Sequence, residues 1–160
     1  GGSAGVWRGW RAPMTIVDAN VLLYAYNADA PQQPVAARWL TEAMDSGEIL
    51  ALPWVTIWAF LRISTNSRIW PNPLSARQAF EIVAGWLEQP GVVLLQPGPR
   101  HSDLLRQIVS EFEAGGALLT DAVLAALAIE NGATVASSDQ DFRRFAGVKW
   151  VNPVRGNGTR

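Results

Sequence analysis

The stretch that most limits what this chain can fold into is Leu118 to Phe145, LLTDAVLAALAIENGATVASSDQDFRRF. Almost every side chain from Ala122 to Ile129 is apolar, so a helix here is hydrophobic on nearly all its faces and belongs inside a core. Asp121 stands at its start. Gly132 ends it at the position where helices favour glycine, and Ala133 to Ala136 reads as a short buried strand running into Ser137, Ser138, Asp139 and Asp141. An acid thus opens a buried helix, and two more come after a buried strand. Carboxylates at a core edge are costly unless paired, hydrogen-bonded or bound to a cation, and that cost directs attention to them.

The rest of the chain repeats the alternation. Thr15-Ile16-Val17 is a β-branched strand followed at once by Asp18-Ala19-Asn20 and an apolar helical run through Tyr26. Ala36, Trp39, Leu40, Ala43 and Met44 recur at helical spacing until Gly47. Glu48 to Leu52 suggests a strand, Pro53 a helix start, and Trp54, Ile57, Trp58 and Leu61 a third helix. A polar loop over residues 63–73 precedes Ser75 and Gln78, which are spaced as a capping box for a helix buried through Ala79, Ile82, Val83, Trp86 and Leu87. Val92 to Leu95 is a further strand, Leu104 to Phe112 a further helix, and Lys149 to Val151 a last edge strand. Residues 1–13 are expected to be a flexible extension or the remnant of a cleaved tag, 14–153 the folded domain, and 154–160 a frayed tail.

Strands alternating with helices imply right-handed crossovers and an α/β fold with a mostly parallel sheet covered on both faces. In such sheets ligands bind beyond the carboxyl ends of the strands, near the switch in strand order. Asp18 follows the first strand, Asp139 and Asp141 the fourth, and Asp121 opens the helix leading into that strand, so all four acids are expected to converge there.

Composition narrows the chemistry. There are no cysteines and one histidine, His101, in a Pro- and Gly-flanked stretch read as a surface loop. Convergent carboxylates without sulfur or imidazole form a hard oxygen site suited to Mg²⁺ or Mn²⁺. Such a cation acidifies water and stabilises in-line displacement at a phosphodiester. The blander reading is that Asp121 with Thr120, and Asp139 with Ser138, cap helices; it accounts for one acid better than for three at the same edge. Asp141 either ligates or orients a ligand. Asn20 either orients the site or satisfies backbone groups. The net charge of −1 gives no strong positive field, so nucleic-acid contacts must be local, with Arg62 and Arg68 preferred over Arg143 and Arg144. Trp39, Trp54, Trp58 and Trp86 match apolar stripes and are expected in the core or a protein interface. No apolar run reaches the roughly 18 residues of a membrane span, and a cytoplasmic protein is expected.

Three segments, TIVDANVLLYAYN, LPWVTIWAFLRISTN and LLTDAVLAALAIENGATVASSDQDFRRF, together resemble PIN-domain toxins of the VapC type over residues 14–153. The resemblance implies a three-layer sandwich with a five-stranded parallel sheet. It also implies a Mg²⁺- or Mn²⁺-dependent endoribonuclease cutting tRNA or rRNA loops, a VapB-type antitoxin whose tail lies near the site, and a homodimer. By position, Asp18, Asp121 and Asp139 match the family's metal-binding acids and Asp141 the adjacent acid of its SSDxDF-like motif. Many relatives carry Glu where this chain has Ala59. Either the remaining acids suffice, or Glu42 or another group substitutes, or activity is weakened or lost, leaving a PIN module that binds RNA or antitoxin without cutting. Haloacid-dehalogenase phosphatases also place an Asp after strand one but need a second two residues later, where Asn20 stands. Response-regulator receivers fit less well, since they want paired acids before that helix.

Overall fold

In the computed structural model, residues 12–155 are described. The flexible extension and frayed tail expected from sequence fall almost entirely outside them. Five strands form one sheet: β1 (Met14–Val17), β2 (Ile49–Pro53), β3 (Val92–Leu95), β4 (Thr134–Ala136) and β5 (Lys149–Val151). All neighbours pair in parallel, in the order β3-β2-β1-β4-β5. The strand order therefore reverses between β1 and β4, the place where an open parallel sheet leaves a crevice.

The helices are α1 (Ala19–Tyr26), α2 (Gln33–Asp45), α3 (Trp54–Ser64), α4 (Ala76–Leu87), α5 (His101–Phe112) and α6 (Leu118–Asn131), with a 3₁₀ turn at Gln140–Arg144. Alternation along each strand sorts them into two layers, because successive side chains point to opposite faces. Ile16, Ala51 and Val135 pack with α5 and α6, whereas Val17, Leu50, Leu52 and Val92 pack with α1 to α4. The result is the three-layer α/β/α sandwich expected from the pattern. Among the described residues no helix is long and apolar enough to cross a membrane.

Several boundaries move for physical reasons. The capping box forms as expected: Gln78 N–H donates to Ser75 Oγ at 3.1 Å, and Ser75 N–H to Gln78 Oε1 at 2.9 Å. The loop expected from Ile63 starts two residues later, since α3 runs to Ser64. His101 is not in a surface loop; it is the first residue of α5 and half-buried. α6 begins at Leu118, three residues before Asp121, and no side chain caps it. Asp121 and Thr120 therefore stand within its first turn, and the capping reading of that pair fails.

One buried hydrogen bond ties the layers to the functional edge. Thr56 of α3, 2% exposed, donates its hydroxyl to the carbonyl of Val17 at 2.7 Å, immediately before Asp18. Replacing Thr56 by Val keeps the shape and removes the hydroxyl offered there. A carbonyl left without it costs about 1–3 kcal/mol. Thr56→Val is expected to lower the unfolding free energy by that amount, read as a lower urea midpoint with an unchanged slope; an unchanged midpoint would show that the contact contributes nothing.

A candidate metal centre

Val17 of β1 lies opposite Ala136 of β4, so Asp18 and Ser137 leave the sheet side by side at the switch. Asp18 N–H donates to the Ala136 carbonyl at 2.9 Å, prolonging the pairing by one residue. Ser137, completely buried, ties the two chain segments together at this point. Its hydroxyl donates to Asp18 Oδ2 at 2.7 Å and accepts from Asn20 Nδ2 at 3.1 Å and from Asp139 N–H at 3.0 Å. Its backbone N–H donates to the Val151 carbonyl at 3.0 Å, and its carbonyl accepts from Trp150 Nε1 at 3.0 Å. Asn20 completes the bracket: Nδ2 reaches Asp18 Oδ2 at 3.3 Å, and Oδ1 accepts from Ser138 N–H at 3.1 Å.

The sequence pattern singles out neither Ser137 nor Thr56. The available signal is a hydroxyl directly after a buried strand, which must find partners if buried with it. What sequence does not supply is that Asp18, 119 positions away, is the partner.

The acids sort into two groups. Asp121, Asp139 and Asp141 each offer a carboxylate oxygen within 4.8 Å of the others. Asp18 stands outside that triplet but close enough that its charge acts on Asp121 and feels Asp139. Asp139 does part of what the capping reading expects, since its Oδ1 accepts from Asp141 N–H at 2.9 Å at the start of the 3₁₀ turn. Asp141 is nearer the centre than a supporting role requires. Its other neighbour is Arg144, at 3.8 Å. Arg62 and Arg68 are exposed, and among the described residues the arginine that forms an ion pair with these acids is Arg144. Arg143 lies over the Trp150 ring, 5.5 Å from its centre.

Glu42 does not take the place of the Glu that Ala59 lacks. It is exposed on α2 beside Thr15 and Thr134, in the amino-terminal parts of β1 and β4. Ala59 lies one turn beyond Thr56 on the same side of α3.

Electrostatics reports the strain of collecting these groups. Asp121, 7% exposed, has its carboxyl pushed up from 3.8 to about 8, first by burial, then by a hydrogen bond with Asp139 and by the charges of Asp139, Asp18 and Asp141. Burial also raises Asp18, opposed by the Ser137 hydroxyl and the Ala19 N–H. The donor set fits a hard divalent cation: it is all oxygen, and a Mg²⁺ site spans about 4.2 Å across, twice the metal–oxygen distance, against the 4.8 Å limit here.

A PIN-domain family model matches residues 15–148. Ribonuclease VapC37 of Mycobacterium tuberculosis is 42% identical over 140 residues, covering 88% of this chain and 97% of the relative. Ribonuclease VapC33 of the same organism is 39% identical over 142 residues, covering 89% and 99%. Among solved structures, VapBC2 from Rickettsia felis, bound to a DNA fragment from its promoter, superposes with a TM-score of 0.66 at 14% identity, covering 87% of this chain and 98% of that one. The fold and the acidic edge thus define a PIN domain. The chain belongs to the VapC branch of that family, the toxin endoribonucleases of toxin–antitoxin systems.

Because folded Asp121 holds its proton up to about pH 8 and an unfolded Asp releases it near pH 4, the folded state binds more protons across that window. Stability therefore falls as pH rises through it. Metal-free protein is expected to melt at a lower temperature at pH 8 than at pH 5, and Asp121→Asn to flatten the slope. A melting temperature that rises over this range would contradict the shift.

Proposed function

We propose that this chain hydrolyses RNA phosphodiester bonds at the Asp18–Asp121–Asp139–Asp141 edge in a reaction that depends on Mg²⁺ or Mn²⁺. The observation that carries the reading is the triplet of carboxylates, all within 4.8 Å, built on elements whose shared hydrogen bonds fix their positions before any substrate arrives. A divalent cation held by Asp121, Asp139 and Asp141 would offset phosphate charge and make a nearby water more acidic.

The chain's own residues supply the rest. Asp18, its Oδ2 held by Ser137 and Asn20, presents its remaining oxygen to the cation or to a water. Asn20 keeps that carboxylate from rotating away. Arg144 provides positive charge at the rim, and Arg62 and Arg68 offer exposed phosphate contacts farther out. In keeping with the relatives' names the substrate is RNA, and we take it to be a structured tRNA or rRNA cut in a single-stranded loop in the cytoplasm. A VapB-type antitoxin restrains the enzyme, and a homodimer is the resting toxin. Trp58, 62% exposed and stacked on Trp54 at 5.9 Å, marks an apolar surface suited to such protein contacts.

The experiment is incubation of purified protein with total RNA across a Mg²⁺ and Mn²⁺ series, with cut ends mapped by sequencing. Discrete metal-dependent cuts are expected, and Asp121→Asn and Asp139→Asn should abolish them. Absence of cuts by folded protein at every metal concentration would favour the binding-only module.

Two further variants separate roles. Ser137→Ala removes the group orienting Asp18 and should cost about 10–100-fold in activity, the usual range for a residue supporting a metal ligand. Ala59→Glu restores the carboxylate that many relatives carry and should lower the Mg²⁺ concentration giving half-maximal rate; an unchanged or higher value would mean that α3 does not face the cation.

A further inference from the structure

Beside Asn20, α1 borders an open cavity of about 240 Å³ together with Ile63 of α3 and the turn between α3 and α4. Asn20, Leu23, Tyr24 and Asn27 line it from α1 and its C-cap, at spacings that place them on one helix face. Ile69 and Trp70 close the opposite side. That turn is held in shape: Ile69 and Trp70 N–H both donate to the Asn66 carbonyl, at 3.1 and 2.9 Å, and Arg68 N–H to Asn66 Oδ1 at 3.0 Å.

Two features distinguish the cavity from a gap in packing. Asn20 is shared with the acidic edge, and its amide is fully committed to Asp18, Ser137 and Ser138, so the cavity and the acids are held in one fixed relation. Asn27 Oδ1 accepts from Asp29 N–H at 3.1 Å, which sets the orientation of the amide. Its Nδ2 then has no acceptor among the described residues and is left as a donor on a wall that otherwise offers rings, aliphatic side chains and the already bonded Asn20 amide.

We propose that this cavity receives the unpaired nucleobase adjacent to the phosphate cut at the acids, with Asn27 donating to an acceptor on the base edge and Tyr24, Ile69 and Trp70 enclosing its faces. The proposal rests on the ribonuclease reading and deepens it to a base-selecting subsite. Because Asn20 borders both the acids and the cavity, a strand whose phosphate lies over the acids would bring a neighbouring base to the cavity. A base stacked in a duplex cannot enter; an unpaired one can, and aromatic enclosure with one edge hydrogen bond is how single-stranded RNA is read. An apolar protein side chain would leave the Asn27 donor unused, and the walls hold no charged group to attract a charged one. Arg68, exposed on the same turn, offers a cation to the backbone of the docked nucleotide.

The test uses the full chain and a short single-stranded RNA spanning the mapped cut, with each nucleotide in turn made abasic. Binding is read by fluorescence anisotropy, both with unaltered protein in chelator and with Asp121→Asn, and turnover with unaltered protein in metal. One abasic position, immediately beside the cut phosphate, should weaken binding and kcat/KM roughly tenfold or more, the range for loss of a stacked base. Asn27→Ala and Ile69→Ala, the latter at a site 59% exposed and harmless to the fold, should erase that dependence and relax base preference at the same position while cutting continues elsewhere. A uniform abasic profile, or base dependence unaltered by both variants, overturns the subsite and leaves the nuclease standing. The subsite is also overturned if the variants weaken an antitoxin tail peptide alone, since the cavity then serves a protein. Protein that cuts no RNA removes both readings together.

Discussion

The hydrogen bond from Ser137 to Asp18 is the contact on which the functional edge depends. A hydroxyl has one proton to donate and two lone pairs to accept with, and Ser137 uses all three, on Asp18, Asn20 and Asp139. It sits where the strand order reverses, so it links the two sides of the crevice that an open parallel sheet leaves at this point. Two segments far apart in the chain thereby acquire a common geometry. The acids are presented by a rigid scaffold and not by flexible loops.

That rigidity has an opposing term. Asp121 is placed in the first turn of a helix whose later residues are almost entirely buried, within reach of three other carboxylates. Without a cation the cluster answers by retaining a proton on Asp121, shared toward Asp139. Proton and cation compete for the same oxygens, so metal affinity and pH are linked. The first-turn position is favourable for an anion because of the helix dipole, but that effect, a few tenths to about 1 kcal/mol, is small beside the repulsion and desolvation that move the carboxyl by several units.

The absence of a carboxylate at Ala59 is compatible with this arrangement, because Asp141 stands with Asp121 and Asp139 as a third carboxylate within 4.8 Å that could hold a cation. The structure groups Asp141 with Asp121 and Asp139, the position that a ligating role requires, and it separates Glu42, which lies against the other end of the sheet. Asn20 acquires a second significance because it both holds Asp18 and lines the neighbouring cavity. An amide suits that place: it holds a carboxylate on one side without adding a fifth negative charge.

The order of strands and helices was legible from periodicity, since apolar spacing of two and of three to four residues reflects which face each segment buries. The capping box at Ser75 was legible because both partners lie three residues apart. So was the convergence of Asp18, Asp121 and Asp139, as a consequence of parallel topology and not of any local pattern. Ser137 and Thr56 were not, because a hydroxyl's role is set by the group opposite it, and those groups lie 119 and 39 positions away. Nor could sequence show that His101 begins a helix. Local chemistry settled the elements and the candidate acids; which oxygens share a cation, and which cavity adjoins them, was decided only by tertiary packing, because these depend on distances between segments that no local spacing encodes.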